Sequence, residues 1–204
     1  MTTTLFTNAH IATGEPGSTA ASTLPLQDIL VTDGVFTAFG PGLAQQYEAQ
    51  GGDLAAIEVV DLGGKLVCPP FCDTHLHLDY VFTARKPGAV NESGTLFEGI
   101  QRWSETKSDL TVDEIKQRAK IGIKKEMLHG VQLIRSHADV TDPNLTSLKA
   151  LLELKEELKD TVTLQIVSFP QEGMSSSTSR GAATRTWTSW SNICISHDSD
   201  VSRN

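Results

Sequence analysis

The chain has 204 residues, which suits one ordinary domain or one domain with a small addition. Hydrophobic residues make up 39% and charged residues 21%, so a packed core can form, while a formal net charge of -8 argues against a nucleic-acid partner, because such proteins concentrate positive charge on one face. There is neither an apolar run of eighteen residues nor a basic segment followed by an apolar one at the N-terminus, so no membrane partner and no secretory signal are predicted.

Residues 1–66 are predicted to form short strands and turns. The segments LFTNAHIA, DILVTDGVFTAFG and AIEVVDLGGKLV carry β-branched and aromatic residues and are broken by Gly and Asp-Gly turn signals. Asp33-Gly34 suits the type I′ turn of a hairpin. Residues 40–55 are polar and rich in glycine, which predicts a surface loop.

In residues 67–174 strands alternate with helices. Strands are predicted in LVCPPFCDTHLHLD, VQLIRSHADV and VTLQIVSFPQEG. Between them lie two amphipathic segments, the first of which has a capping box of Thr111 and Glu114 and a terminating Gly130. This order predicts parallel pairing, with polar residues at the carboxyl ends of the strands, where a (β/α)8 barrel keeps its chemistry. About three of eight such strands are recognisable.

Residues 175–204 do not continue the alternation. They are rich in Ser and Thr and show no amphipathic period, so they lack the apolar content that ordering requires. Two interpretations stay open: a flexible natural tail, and out-of-frame translation after Met174, which the abrupt change favours.

His75 and His77 lie at the end of the first of the three strands. Residues two apart on a strand point the same way, so both imidazoles can reach one ion, and neutral imidazole binds both Zn²⁺ and Fe²⁺. The spacing alone is weak evidence, because such pairs also occur as ordinary surface residues. The three cysteines are too sparse for a disulfide scaffold and favour a reducing, cytoplasmic compartment; Cys68 and Cys72 are predicted to be small buried residues.

Three segments make the pattern more specific: LVCPPFCDTHLHLD, NESGTLFEGIQRW and LQIVSFPQEG. Over residues 60–174 the chain resembles the cytosine deaminase branch of the metal-dependent amidohydrolase superfamily. The resemblance implies an α/β fold consisting of the first three βα units of a (β/α)8 TIM barrel, preceded by a small β-sandwich subdomain. It divides the chain into a sandwich part, 1–66, a partial barrel, 67–174, and the irregular tail, 175–204.

The resemblance also implies roles for particular residues. His75 and His77 match two ligands of one divalent metal, Fe²⁺ or Zn²⁺. Leu96 matches a position whose backbone carbonyl accepts a hydrogen bond from a ring N–H of the substrate. Gln171 matches a side-chain amide that recognises the pyrimidine carbonyl and the adjacent nitrogen. A primary amide suits this task because its donor and its acceptor lie side by side. The implied reaction is hydrolytic deamination of cytosine or a close analogue, a small-molecule substrate; homo-oligomer formation is left open.

Other residues of that mechanism have no convincing counterpart. The resemblance requires a third metal-binding His, a Glu, a further His and an Asp from later strands, and the element His197 to Asp200 follows Gln171 too closely to supply them. His137 and Asp139 either hold the metal ligands in orientation or are satisfied polar residues at a barrel rim. We therefore expect an incomplete, inactive version of the deaminase; the alternatives are a non-catalytic, weakly metal-binding fragment and an amidohydrolase acting on another nitrogen heterocycle.

Overall fold

A computed structural model of the chain describes residues 2–12 and 24–173. The chain divides between Pro69 and Pro70 into two compact units, and each unit has its own sheet. The predicted irregular tail, 175–204, lies outside the described residues, as does the His-x-x-Asp element within it. Within the described ranges, no helix has both the length and the apolar character needed to cross a bilayer.

The first unit contains a five-stranded mixed sheet. The strand order is β3-β2-β1-β4, and β5 also pairs with β1. Strand β2 is antiparallel to both β1 and β3, whereas β4 and β5 run parallel to β1. A second sheet facing this one is not among residues 2–12 and 24–69, so the predicted sandwich stays a prediction. The strands are β1 (Thr3–Ile11), β2 (Leu26–Thr32), β3 (Val35–Gly40), β4 (Glu58–Asp61) and β5 (Leu66–Val67).

The turn between β2 and β3 confirms the predicted hairpin. Asp33 has φ 50° and Gly34 has φ 78°. Positive φ at both central residues is the requirement of a type I′ turn, whose twist matches that of the flanking strands.

The predicted surface loop at residues 40–55 is wrong, because it contains a helix, α1 (Leu43–Ala49), and a short 3₁₀ turn (Leu54–Ala56). The cause is a contact from outside the segment. Asp28 on β2 is buried, and its carboxylate accepts a hydrogen bond from the Leu43 amide at 2.9 Å, which satisfies one of the free N–H groups at the helix start. Local composition does not reveal this cap.

The second unit confirms the predicted alternation of strands and helices. Its three strands form a parallel sheet in the order β6-β7-β8. A 3₁₀ turn (Thr83–Arg85) precedes the first long helix. The elements are β6 (Phe71–Leu76), α2 (Leu96–Lys107), α3 (Val112–Leu128), β7 (Val131–Asp139), α4 (Thr146–Glu157) and β8 (Thr163–Phe169).

Helix α3 begins and ends where the sequence predicts. The Thr111 side chain accepts from the Glu114 amide, and the Glu114 carboxylate accepts from the Thr111 amide, so the capping box is complete. Gly130, at φ 84°, follows the helix and donates to the Met127 carbonyl. A left-handed residue at this point is what glycine permits at little cost.

Helix α2 was not predicted from periodicity. Its cap is nevertheless visible in the sequence as Thr95-x-x-Glu98: the Thr95 hydroxyl accepts from the Glu98 amide at 3.3 Å. This pattern is the signal that would have found the helix.

The core of the second unit lies between the sheet and its helices. Apolar side chains from α2, α3, α4, β7 and β8 form one buried cluster, and such burial is the main favourable contribution to folding. Its most deeply buried large members are Leu78, Ile115, Ile134, Leu151, Leu154 and Leu164.

The cysteine prediction is wrong on burial. Cys68 and Cys72 are both free thiols, and both are exposed. Cys72 lies on β6, which is an edge strand of the three-stranded sheet. Exposure there follows from the position of the strand rather than from the type of residue.

Candidate active site

The predicted metal ligands lie together at the carboxyl end of β6. The ring centroids of His75 and His77 are 5.3 Å apart. The pairing of β6 with β7 is irregular between Asp73 and Leu76, and the Asp73 carboxylate accepts from the His75 amide at 2.9 Å, which fixes the backbone at this point. The strand end therefore presents both imidazoles to one region.

The ring of His77 is oriented by the neighbouring strand. Its Nδ1 lies 3.1 Å from the backbone carbonyl of His137. A carbonyl only accepts, so Nδ1 carries the proton and Nε2 keeps a free lone pair. Burial, with His137 and His75 nearby, lowers the pKa of His77 below its usual value, so the ring stays neutral. A neutral imidazole with one nitrogen donating to a carbonyl is the usual state of a metal-binding histidine.

His137 belongs to the same cluster. Its ring stacks on that of His75 at a centroid distance of 4.0 Å, and its Nδ1 is buried without a hydrogen-bond partner in the described part of the chain. Burial lowers the pKa of His137 as well, with the His75 ring as a second cause. Through its backbone carbonyl His137 orients the ring of His77, while a role toward a metal ion stays a prediction.

A cavity of about 460 Å³ lies beside the histidines. Its size is within the range of small-molecule sites. Tyr80 separates His77 from Trp103, stacking on the first at 4.8 Å and contacting the second at 4.9 Å. The wall thus combines aromatic faces with a few polar groups; among the lining residues are His75, His77, Tyr80, Asn91, Arg102 and Trp103.

The two predicted substrate contacts lie outside the lining of this cavity. Leu96 is the first residue of α2, and its side chain is 73% exposed. Gln171 is half-buried in the turn after β8, where its amide donates to the Phe169 carbonyl at 3.0 Å. The described residues therefore bring His75 and His77 together, while the roles of Leu96 and Gln171 stay predictions.

Two buried carboxylates lie behind the histidines. Asp79 is fully buried and Asp139 is 2% exposed. The Asp139 amide donates to the Asp79 carboxylate at 2.8 Å, which joins the end of β7 to the loop after β6. Burial is the main reason that the pKa of Asp79 rises to about 7, and the Asp139 charge adds to it.

Comparison with known proteins identifies the family to which this site belongs. The profile of the amidohydrolase family matches residues 58–189, more than half of the chain. The chain belongs to the amidohydrolase family. The matched range begins at the first residue of β4 and includes every residue of the histidine cluster.

Similar proteins and structures include deaminases and an amidohydrolase. N-isopropylammelide isopropyl amidohydrolase from Pseudomonas sp. (strain ADP) is 36% identical over 118 residues, 56% of this chain and 29% of that protein. Pterin deaminase from Rhizobium rhizogenes is 27% identical over 152 residues, 72% of this chain and 32% of that protein. The chain thus spans about a third of the length of these relatives.

Among solved structures, 5-methylcytosine deaminase from Klebsiella pneumoniae with bound 5-fluorocytosine matches with a TM-score of 0.72 and 38% identity. The match covers 91% of this chain and 41% of the deaminase. The N-isopropylammelide isopropylaminohydrolase of Burkholderia multivorans matches with a TM-score of 0.64 at 24% identity, covering 85% of this chain and 39% of the other, which supports the fold alone.

Members of the amidohydrolase superfamily depend on metal, and the histidine cluster fits part of a metal site. His75 and His77 offer nitrogen donors suited to Zn²⁺ or Fe²⁺. Among residues 2–12 and 24–173, no group of three or more His, Cys, Asp or Glu side chains is arranged to hold a metal ion. The assignment of His75 and His77 as metal ligands therefore stays a prediction.

A polar network that the sequence did not reveal surrounds Asp139 in this amidohydrolase. Its carboxylate accepts from the Trp103 indole at 2.6 Å, from the Thr141 hydroxyl at 2.7 Å and from Lys107 at 3.2 Å. A buried carboxylate with several donors is satisfied, whereas an unpaired one would be costly. Trp103 and Lys107 are four residues apart on α2, so they lie on the same face of the helix, and this spacing is visible in the sequence.

Replacing Asp79 by asparagine is expected to remove a pH-dependent loss of stability. The pKa of Asp79 rises from 3.8 to about 7 in the folded chain. The contribution of Asp79 to folding stability is therefore fully present below pH 3.8, where the carboxyl is protonated in both the folded and the unfolded chain. It is lost progressively as the pH rises to about 7, because the unfolded chain gives up this proton more readily than the folded chain does. The slope approaches about 1.4 kcal/mol per pH unit for one proton. Urea unfolding at several pH values between about 5 and 8 measures it.

The informative quantity is the difference between the wild type and Asp79→Asn, since other carboxylates titrate in the same range. Asparagine resembles the protonated carboxyl in size and charge, so the variant should be relatively more stable at pH 7 than at pH 5. The exposed Asp160→Asn serves as the matched control. Parallel pH profiles for the wild type and Asp79→Asn would show that Asp79 does not titrate in this way.

Proposed function

We propose that this chain is part of a metal-dependent amidohydrolase that deaminates cytosine or a close pyrimidine analogue, releasing ammonia. The observation that carries this proposal is the pair of imidazoles at the end of β6, where the His77 ring is oriented by the carbonyl of His137. The 38% identity to a 5-methylcytosine deaminase that binds 5-fluorocytosine supports a pyrimidine substrate. The segments SGTLFEG and FPQEG support the same branch.

In this proposal β6, β7 and β8 are the first three strands of a (β/α)8 barrel. Their carboxyl ends hold His75, the His137 carbonyl and the turn with Gln171, which is the end where such barrels place their catalytic groups. The exposed, free Cys68 and Cys72 are consistent with a reducing, cytoplasmic compartment.

The residues of this chain would bind and orient rather than transfer protons. His75 and His77 would hold an Fe²⁺ or Zn²⁺ ion, which supplies the charge that makes water nucleophilic when it is bound. The carbonyl of Leu96 would receive a ring N–H. The Gln171 amide would read the pyrimidine carbonyl and the adjacent nitrogen, since it offers one donor and one acceptor side by side.

Two alternatives have their own support. The 36% identity to N-isopropylammelide isopropyl amidohydrolase favours release of an amine from another nitrogen heterocycle. The absence of a group of three metal-binding side chains among the described residues favours a non-catalytic chain that binds metal weakly.

Release of ammonia or amine from a substrate panel separates these functions. The purified 204-residue chain would be incubated with Fe²⁺ or Zn²⁺ and, in turn, with cytosine, 5-fluorocytosine, 5-methylcytosine, N-isopropylammelide and pterin. Turnover restricted to pyrimidines supports the proposal, and turnover of N-isopropylammelide supports the first alternative. Folded chain that binds 5-fluorocytosine without turning over any substrate supports an incomplete version of the deaminase, whereas folded chain that binds metal but none of these bases supports the second alternative.

Replacing Gln171 by alanine is expected to weaken binding of the pyrimidine without changing metal content. Loss of a neutral hydrogen-bonding side chain costs about 0.5–1.5 kcal/mol, which corresponds to roughly a two- to tenfold rise in Kd or KM. Calorimetric titration with 5-fluorocytosine and elemental analysis of bound metal measure the two effects. The matched control is Gln132→Ala, an exposed amide at the start of β7. Unchanged affinity would remove Gln171 from the site.

A further inference from the structure

Lys107 is a buried cation that joins three segments of the second unit. Its side chain is only 10% exposed at the end of α2. The ammonium donates to Asp139, the last residue of β7, at 3.2 Å and to the Thr141 hydroxyl, two residues further on, at 2.5 Å. It also pairs with Glu172 in the turn after β8. An ammonium has three donors, so these three acceptors use its full capacity.

The turn that receives Lys107 carries Gln171. Its backbone is closed by two local hydrogen bonds, from Gln171 to the Phe169 carbonyl at 3.0 Å and from Gly173 to the Pro170 carbonyl at 2.9 Å. The Glu172 side chain points back to Lys107 and is 14% exposed. Desolvation strengthens an ion pair with good hydrogen-bond geometry, so this contact can fix the turn in place.

Helix α2 is itself anchored at the same point. The indole of Trp103 donates to Asp139 at 2.6 Å, one turn before Lys107. The helix is thereby attached twice to the end of β7. Because Leu96 lies at the other end of the same helix, a continuous series of bonded and hydrogen-bonded groups runs from Leu96 through Lys107 and Glu172 to Gln171.

We propose that Lys107 is a positioning residue that holds the turn 170–173, and with it Gln171, in a fixed place relative to α2. The consequence for substrate recognition rests on the proposed function, which assigns substrate contacts to Leu96 and Gln171. The alternative role for Lys107 is only to neutralise Asp139. The two roles predict different effects of Glu172→Gln, a substitution that leaves the contact between Lys107 and Asp139 intact. The positioning role predicts that the turn loosens, whereas the neutralising role predicts no change there.

Amide hydrogen exchange in the full 204-residue chain tests the proposal. The exchange rates of the Gln171 and Gly173 amides would be measured by NMR in the wild type, Lys107→Met and Glu172→Gln. Both variants are expected to exchange about tenfold faster or more at these two amides, the effect of losing a hydrogen bond to a charged group. Amides in the middle of β7, such as that of Ile134, should be unchanged in Glu172→Gln.

Lys116→Met is the matched control. Lys116 on α3 is also largely buried and pairs with two carboxylates, Glu153 and Glu157, but both lie on α4. Its loss should leave the Gln171 and Gly173 amides unchanged. If Lys107→Met fails to fold, Glu172→Gln and Lys107→Arg carry the test, and Lys107→Arg should retain more protection than Glu172→Gln.

Unchanged exchange at Gln171 and Gly173 in Glu172→Gln would overturn the positioning role. Binding of 5-fluorocytosine to the same samples separates this outcome from failure of the proposed function. If exchange in the turn becomes faster in Glu172→Gln but the wild type binds no 5-fluorocytosine, the positioning role of Lys107 is retained and the proposed pyrimidine substrate is rejected. Weaker 5-fluorocytosine binding in Glu172→Gln, with unchanged metal content, would support both.

Discussion

Replacing His75 by alanine is expected to abolish retention of a divalent metal. His75 and His77 are the two nitrogen donors that the family resemblance assigns to the metal, and their rings lie close together, so one substitution removes half of this pair. Loss of an outer-shell partner already lowers metal affinity by roughly 10–100-fold, and loss of a direct ligand should exceed that. Elemental analysis after gel filtration, with a Zn²⁺ titration of the same samples, measures the effect.

The matched control is His129→Ala. His129 lies at the end of α3, is exposed, and contacts the Lys125 carbonyl through Nδ1 at 2.7 Å. This variant should retain metal as the wild type does. Full occupancy in His75→Ala would exclude His75 as a ligand, and equal loss in His129→Ala would show that binding is nonspecific.

Replacing Asp139 by alanine is expected to cause the largest loss of folding stability. The carboxylate is almost fully buried and receives hydrogen bonds from Trp103, Lys107 and Thr141, so its removal leaves an indole and a hydroxyl without their acceptor. Breaking a buried charged pair in this way costs about 3–5 kcal/mol, a large part of the roughly 5–15 kcal/mol that stabilises an ordinary domain. Urea unfolding followed by circular dichroism measures the change.

A graded series locates the origin of that loss. Trp103→Phe removes one donor to the carboxylate while retaining most of the ring, and it should cost about 1–3 kcal/mol, less than Asp139→Ala. Asp160→Ala, at an exposed acidic position after α4, should stay within about 0.5 kcal/mol of the wild type. If Asp139→Ala were no more damaging than Asp160→Ala, the network would not contribute to folding stability.

Local signals in the sequence predicted the elements that depend on nearby residues. The Asp33-Gly34 turn needs only two residues that accept positive φ, and α3 needs only its Thr111 and Glu114 cap and an amphipathic face. The sequence Thr95-x-x-Glu98 is a comparable cap that marks the start of helix α2. Helix α1 has no such cap in its own segment, because the amide of its first residue, Leu43, donates instead to Asp28 on β2.

The sequence by itself determined the alternation of strands and helices, the family resemblance and the place of His75 and His77 at a strand end, because periodicity and motif spacing are local properties. Only the tertiary structure decided that Cys72 is exposed, that the His137 carbonyl orients His77, and that Lys107 meets Glu172, 65 residues away. Those contacts depend on how strands and helices come together in space, and the energies of burial and pairing that result cannot be obtained from neighbours in the chain.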